Sequence, residues 1–203
     1  MQNQLISLDR AKLAGWFFQA GNFGLLALGS FNGSWSELAA GASWITAGEM
    51  LRRHGDDTRW FAGSCVASVV AMSLTNYKAL STVNPNELLT LSSPATATAI
   101  GTALFVVGYG VFGAFSKPLS QAFRDAKNSV VRWTLGRPRL ATGVLGAVSM
   151  VPMIKDTIAS QNIPLAAIIA SFLVGEALIA ASSPDKGLLT NKSNGAATPP
   201  GIA

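Results

Sequence analysis

Six apolar stretches separated by loops of sharply unequal basic content constrain this chain more than any other feature. They lie at about 13–31, 37–52, 60–77, 96–116, 139–155 and 163–182. Each is close to the roughly 20 residues that carry a helix across about 30 Å of hydrocarbon. The second and fifth are shorter and draw length from their flanks. Residues 1–10 are polar and include Asp9, and no small-residue cleavage site follows, so the first stretch is expected to be a retained helix and not a leader.

Lys and Arg fall on alternate loops. Arg10, Lys12, Arg52, Arg53, Arg59, Lys117, Arg124, Lys127, Arg132, Arg137, Arg139, Lys186 and Lys192 share one side, and only Lys78 and Lys155 lie on the other. Thirteen against two is the positive-inside pattern, with both termini in the cytoplasm. The rest of the composition agrees. Only 12% of the 203 residues are charged, about half the ~25% of a soluble domain. So little charge does not cover a water-facing surface, which argues against an ordinary cytosolic enzyme and against a disordered chain. The expectation is an all-α polytopic membrane protein with six transmembrane helices, in the bacterial inner (cytoplasmic) membrane. The net charge of +5 and the pI near 9.7 belong to its loops and call for no nucleic acid.

Single-residue counts remove much chemistry. Cys65 and His54 are the only residues of their kinds. That leaves no intramolecular disulfide, no thiolate cage, no bis-His haem and no HExxH helix. Gly108-Tyr109-Gly110-Val111-Phe112-Gly113 spells GxGxxG, but inside an apolar run and not between a strand and a helix. No nucleophile–base motif is present. No metal, no cofactor and no enzymatic activity are expected.

The inner loop from Lys117 to Arg139 has its own pattern. Pro118 suits a first helical position, and Leu119, Phe123, Ala126, Val130 and Trp133 recur at four- and three-residue steps. This predicts an amphipathic helix over 118–135 lying in the cytoplasmic interface. Arg124, Lys127 and Arg132 would face anionic lipid headgroups or a protein partner, with Trp133 as anchor. Residues 184–203 read as a polar, poorly ordered tail.

An ungapped self-match pairs residues 10–51 with 137–178, an offset of 127 that includes Gly48/Gly175 and Glu49/Glu176. Both copies would start on the same membrane side, so they would be parallel repeats, helices 1–2 resembling helices 5–6. The arrangement is similar to that of the PQ-loop and SWEET sugar-transporter group, in which two helical bundles flank a linker helix. Val151-Pro152-Met153-Ile154-Lys155 resembles the Pro-Gln turn of that group. Met153 stands in place of Gln, the first repeat has Leu25-Leu26 and no Pro, no seventh apolar stretch follows, and the proline lies on the outer side. The family is therefore not assigned.

Small residues four apart recur in every stretch, as in Ala20/Gly24, Gly63/Ala67/Ala71, Gly143/Ala147 and Ala167/Ser171/Gly175. Such faces let helix backbones approach within the chain, in a homo-oligomer or with a partner. Among intramembrane polar residues, Glu176 stands out. It lies well inside the last stretch with no cation three or four positions away, at an insertion cost on the order of 2.5–3.5 kcal/mol. Glu49 precedes Arg52 and Arg53 and reads as a local interfacial ion pair. Gln19, Asn22 and Tyr109 complete the candidate intramembrane polar site. Two functions fit: a small-solute or ion-coupled transporter, and a non-catalytic subunit of a larger inner-membrane assembly such as a secretion or conjugation machine. No pair of Pro- or Gly-broken spans is evident, which counts against the first.

Overall fold

Helix starts in this chain are set by short polar side chains that take up the free N–H groups of a first turn. Asp9 accepts from the Ala11 N–H at 2.9 Å, Asp57 from Arg59 at 2.7 Å, Asn128 from Val130 at 2.9 Å and Asn162 from Leu165 at 3.1 Å. Glu37 reaches back to the Ser34 N–H at 3.1 Å. The computed structural model describes residues 9–29, 34–82 and 94–182, and these are all helix and short connections. The elements are α1 (Arg10–Ala27), α2 (Trp35–His54), α3 (Thr58–Thr75), α4 (Tyr77–Ser81) and α5 (Pro94–Phe105), which runs on as a π-helix over Val106–Gly113. Then follow α6 (Ser116–Phe123), α7 (Ser129–Thr134), α8 (Pro138–Ser149), α9 (Val151–Ser160) and α10 (Ile163–Ala180). Two of the rods, Ala95–Gly113 and Ile163–Ala180, are long and apolar enough to cross a membrane by length and composition. The 184–203 tail and most of the loop between Asn76 and Pro94 lie outside the described residues.

The long rods form a ring. Each packs on the next in chain order, α1 on α2, α2 on α3, α3 on the π-helix, α5 and its π continuation on α8, and α8 on α10; α10 then closes against α1. Neighbours run antiparallel, which gathers the basic residues at one end. There Lys12 pairs with Asp56 at 2.9 Å, the Arg10 guanidinium donates to the Ala181 carbonyl at 2.9 Å, and the Arg139 guanidinium lies 3.9 Å from the centre of the Phe61 ring. Glu49 accepts from Arg52 at 2.6 and 2.8 Å and also from Arg53, as its spacing implied.

Two boundaries differ from the sequence reading. The segment expected to be one amphipathic helix over 118–135 is two short helices, α6 and α7. Between them Asn128 turns its side chain onto the Val130 and Val131 N–H groups and starts a new helix, an alternative that apolar periodicity does not register. The fifth stretch does not end at Lys155–Asp156. It breaks at Met150, because Pro152 brings no N–H for the carbonyl a turn earlier, and then continues as α9 to Gln161, whose φ of 52° closes it in the left-handed region.

Glycines set several of the helix crossings. A Cβ on Gly24 would meet Ile168 at 2.6 Å, one on Gly101 the Ser149 carbonyl at 2.8 Å, and one on Gly175 the Phe18 ring at 2.6 Å. Gly15 lies against the backbone of Leu51 and Arg52, and Gly143 against that of Glu176 and Ala180. Polarity is distributed in an unusual sense. Gln19, Asn22, Ser64, Ser68, Thr102, Thr142, Ser149 and Glu176 are buried, whereas Trp16, Phe23, Val66, Val70, Val107, Val111, Val144 and Val148 face outward. Soluble folds put such residues the other way round.

Candidate functional site

A cavity of about 360 Å³ occupies the middle of the ring, and α1, α2, α3, α5 with its π continuation, the α8–α9 break and α10 all contribute to its wall. It extends from Glu176 towards the end of the bundle opposite the arginines, where Thr75, Asn76, Thr98 and Leu165 lie. On the basic side of Glu176 the interior is closed by Ala14, Leu51, Phe61, Cys65 and Ile179, packed as one apolar cluster.

Glu176 is 1% exposed. Its carboxyl group sits directly on Gly146, a position where any Cβ would collide with it. One oxygen, Oε1, accepts from the Tyr109 hydroxyl at 2.8 Å; the other, Oε2, has no hydrogen-bond partner among the described residues. Tyr109 is placed by the π-helix, in which the Ala114 N–H reaches back five residues to the Tyr109 carbonyl at 2.9 Å. This widened turn occurs where Gly108, Gly110 and Gly113 leave room: a Cβ on Gly108 would strike Leu145 at 2.8 Å, and one on Gly113 the Cys65 sulfur at 2.6 Å. Wide turns of this kind concentrate at functional positions.

The site continues as a chain of contacts. Phe105 stacks on Tyr109 with ring centres 4.2 Å apart and planes 8° from parallel. Trp44 meets Phe105 edge-on at 5.7 Å, and its indole N–H is fixed by the Thr75 hydroxyl at 3.1 Å. Across the cavity Phe172 fills the space that Gly21 leaves open. Asn22 donates through Nδ2 to the Trp44 carbonyl at 3.0 Å, which turns Oδ1 the other way, and Oδ1 has no partner among the described residues. At the far end Asn76 ties α3 to α5 through Thr102 at 2.8 Å.

Of the four residues singled out as an intramembrane polar site, the ring brings three to one cavity: Glu176, Tyr109 and Asn22. Gln19 is elsewhere. It packs on Gly48 between α1 and α2, donating to the Ile45 carbonyl at 2.9 Å and to Glu49 at 3.5 Å. Arg124, Lys127, Arg132 and Trp133 are all exposed at the basic end, Trp133 by 56%. Sequence reasoning passed over Trp44, Phe105, Phe172 and Gly146. The spacing of Phe105 four residues before Tyr109 was a usable signal; the approach of Gly146 to Glu176 needed the fold. Among the described residues no group of acidic, His and Cys side chains is placed to hold a metal ion.

The fold and site together define an all-helical protein with polar residues turned inward, two rods long and apolar enough to cross a bilayer, and a buried carboxyl group on the wall of a central cavity. Comparison with family models, with curated proteins and with solved structures yields no match.

Proposed function

We propose that this chain is a multi-pass membrane protein whose six spans ring a solute cavity, and that it works as a small-solute or ion-coupled transporter with Glu176 as the coupling group. The observation that carries the reading is the Glu176 carboxyl, buried on the cavity wall with one oxygen bonded to Tyr109 and the other unpartnered. An acid held inside a bundle at several kcal/mol of insertion cost faces a pathway or a partner group. The inward-turned polarity supports six spans, with outward Val and Phe against lipid and polar residues on the cavity side.

Aromatic residues mark both interfaces. Trp35 (87% exposed) and Tyr77 lie at one end, Trp16, Trp60 and Trp133 towards the other. The basic end is the cytoplasmic one by the positive-inside rule, and it suits an inner membrane; there Arg124, Lys127, Arg132 and Trp133 meet anionic headgroups. The hairpin repeat gains a local argument: Gln19 abuts Glu49, and 127 residues later Gly146 abuts Glu176. Two irregular rods flank the cavity, the π-helix and the Pro152 break. Transporters place their sites beside such interruptions.

The test is proton flux in proteoliposomes loaded with a pH-sensitive dye and given an imposed pH step. The wild-type chain carries a flux that Glu176→Gln abolishes while the protein stays monodisperse. Equal flux in both proteins refutes the coupling role. A reporter fused after Ser183 is active only in the cytoplasm if the orientation holds. The subunit reading has its own observation, the outward Val130 and Trp133 beside Arg132 on α7. It predicts copurification with other proteins in fixed ratio, loosened by charge reversal at Arg124, Lys127 and Arg132, and indifference to Glu176→Gln.

A further inference from the structure

Resting on the transport reading of the cavity, we infer that its substrate class is a small organic monocation, a protonated amine carrying an apolar or aromatic body. Four observations converge on this chemistry. Among the described residues that line the cavity there is no Lys, Arg or His, and Glu176 is the one acidic side chain. With Glu176 ionised, the buried polar atoms left unpartnered on that wall, Glu176 Oε2 and Asn22 Oδ1, are both acceptors, so an occupant that satisfies them brings donors. An anion would find no counter-charge, and a neutral hydrocarbon would leave both acceptors without partners.

The remaining wall is aromatic and thioether. Trp44, Phe105, Tyr109 and Phe172 present ring surface, and Met72 and Met150 add polarisable sulfur. Ring faces attract an ammonium group electrostatically, most strongly where water is excluded, and they bury an apolar body as well. The rings are held in place before any ligand arrives, through the run from Thr75 to Trp44, Phe105, Tyr109 and Glu176. A preformed wall spends little affinity on ordering.

An inorganic cation fits less well. Hard cations gather about six oxygen ligands, and among the described residues the one group bonded to the Glu176 carboxyl is the Tyr109 hydroxyl. The cavity volume of about 360 Å³ lies at the small end of the range for compact organic ligands, roughly 300–1,000 Å³.

The experiment titrates the full chain in detergent with three probes of one shape, using calorimetry against empty micelles. Phenethylammonium is the cation, 2-phenylethanol the neutral analogue and phenylacetate the anion. The cation is expected to bind saturably at one site, and the other two roughly tenfold more weakly or worse. Glu176→Gln removes the preference for the cation, with a loss of roughly 30-fold in its affinity, whereas Glu176→Asp keeps the preference. Trp44→Leu leaves the charge in place and weakens the cation by roughly three- to tenfold through the lost ring face. Gel filtration confirms that each variant is folded.

The inference is overturned if the neutral probe binds as well as the cation, if Glu176→Gln keeps the preference, or if none of the probes binds saturably to the wild type. Competition by sodium ions with no effect of Trp44→Leu also overturns it, in favour of an inorganic ion. Proton flux separates the two proposals. Glu176-dependent flux without cation preference removes the substrate class and leaves transport standing. Cation preference without flux leaves the binding site and removes transport.

Discussion

Gly143→Ala tests one of the closest approaches in the ring. A Cβ at this position would lie 2.7 Å from the Ala180 amide nitrogen and 2.8 Å from the Ala180 Cβ, and would press on the Glu176 carbonyl oxygen. Ordinary contact begins at 3.4 Å, so α8 and α10 must separate by at least about 0.7 Å. The obstacle is helical backbone on the facing side, which does not swing away as a long side chain would. Overpacking of this kind costs roughly 1–3 kcal/mol. Replacing a helical Gly by Ala returns ~1 kcal/mol of propensity, so the net loss is up to about 2 kcal/mol. Gly63 is the matched control. Its added methyl would meet only the Met50 sulfur at 3.6 Å, an ordinary contact. Gly63→Ala therefore gains up to ~1 kcal/mol.

The chain carries its own reporter for the measurement. Cys65 is the only cysteine and is fully buried in α3, so a thiol-reactive fluorophore labels it when the bundle opens. At about 2–4 °C per kcal/mol for a chain of this length, Gly143→Ala and Gly63→Ala should differ in Tm by up to roughly 12 °C, with opposite signs relative to wild type. Equal Tm values, or a rise for Gly143→Ala, would show that α8 and α10 are not in backbone contact and that Glu176 is not held where the ring puts it.

Two other outcomes are expected. Tyr109→Phe keeps the ring stack on Phe105 but leaves Glu176 Oε1 without its donor, a loss of roughly 1–3 kcal/mol; combined with Glu176→Gln it should fall short of additivity by ~0.5 kcal/mol or more in the Cys65 assay, and strict additivity would deny the bond. At the basic end, the hydrogen bond from Lys12 holds the Asp56 carboxyl below its usual range. The stabilisation is thus present above the ordinary value of 3.8 and is lost as the pH falls below it. Both groups are well exposed, so the effect is a few tenths of a kcal/mol at most, screened by salt and absent in Lys12→Met; a Lys12→Met protein with unchanged acid sensitivity would rule the pair out.

Which parts of this arrangement were readable in the residues follows from the kind of signal each needed. The rods were legible because apolar length is a local property, and their ends agree to within a few residues except at Pro152. Pro152 was in plain view, yet whether a proline ends a helix or bends it depends on what packs beyond. The α6–α7 break was missed for a related reason: Asn128 as a cap and Asn128 in a polar stripe look alike until the side chain chooses a partner. Glu176 was legible as an acid with no neighbouring cation. Its partner Tyr109 lies 67 residues away and is reached only because the ring closes α5 against α8 and α8 against α10. Gln19 shows the converse. A polar residue on α1 carries no mark of which neighbour it faces, and one helical turn separates the Gln19 contact with Glu49 from the Asn22 place on the cavity wall.

Among the described residues only two rods read as apolar enough to cross a bilayer by composition, and the residues that lower the others bear directly on how such a chain works. α1 carries Gln19 and Asn22, and α3 carries Ser64 and Ser68; all four are buried. The fifth rod is divided at Met150, and Ser149, at that break, is also buried and on the cavity wall. In a soluble bundle polar residues at these positions would face water and apolar ones the core. Here the polar residues turn towards the ring interior while Phe23, Val66, Val70 and Val148 turn out. A helix lowered in mean hydropathy by its inward face still presents an apolar outward face to lipid, and that outward face is what insertion and packing require. Of the residues that weaken the membrane signal of their helices, Asn22, Ser68 and Ser149 are thus on the cavity wall. In α10 the two demands meet in one apolar rod that keeps a single ionisable position, and that position is Glu176.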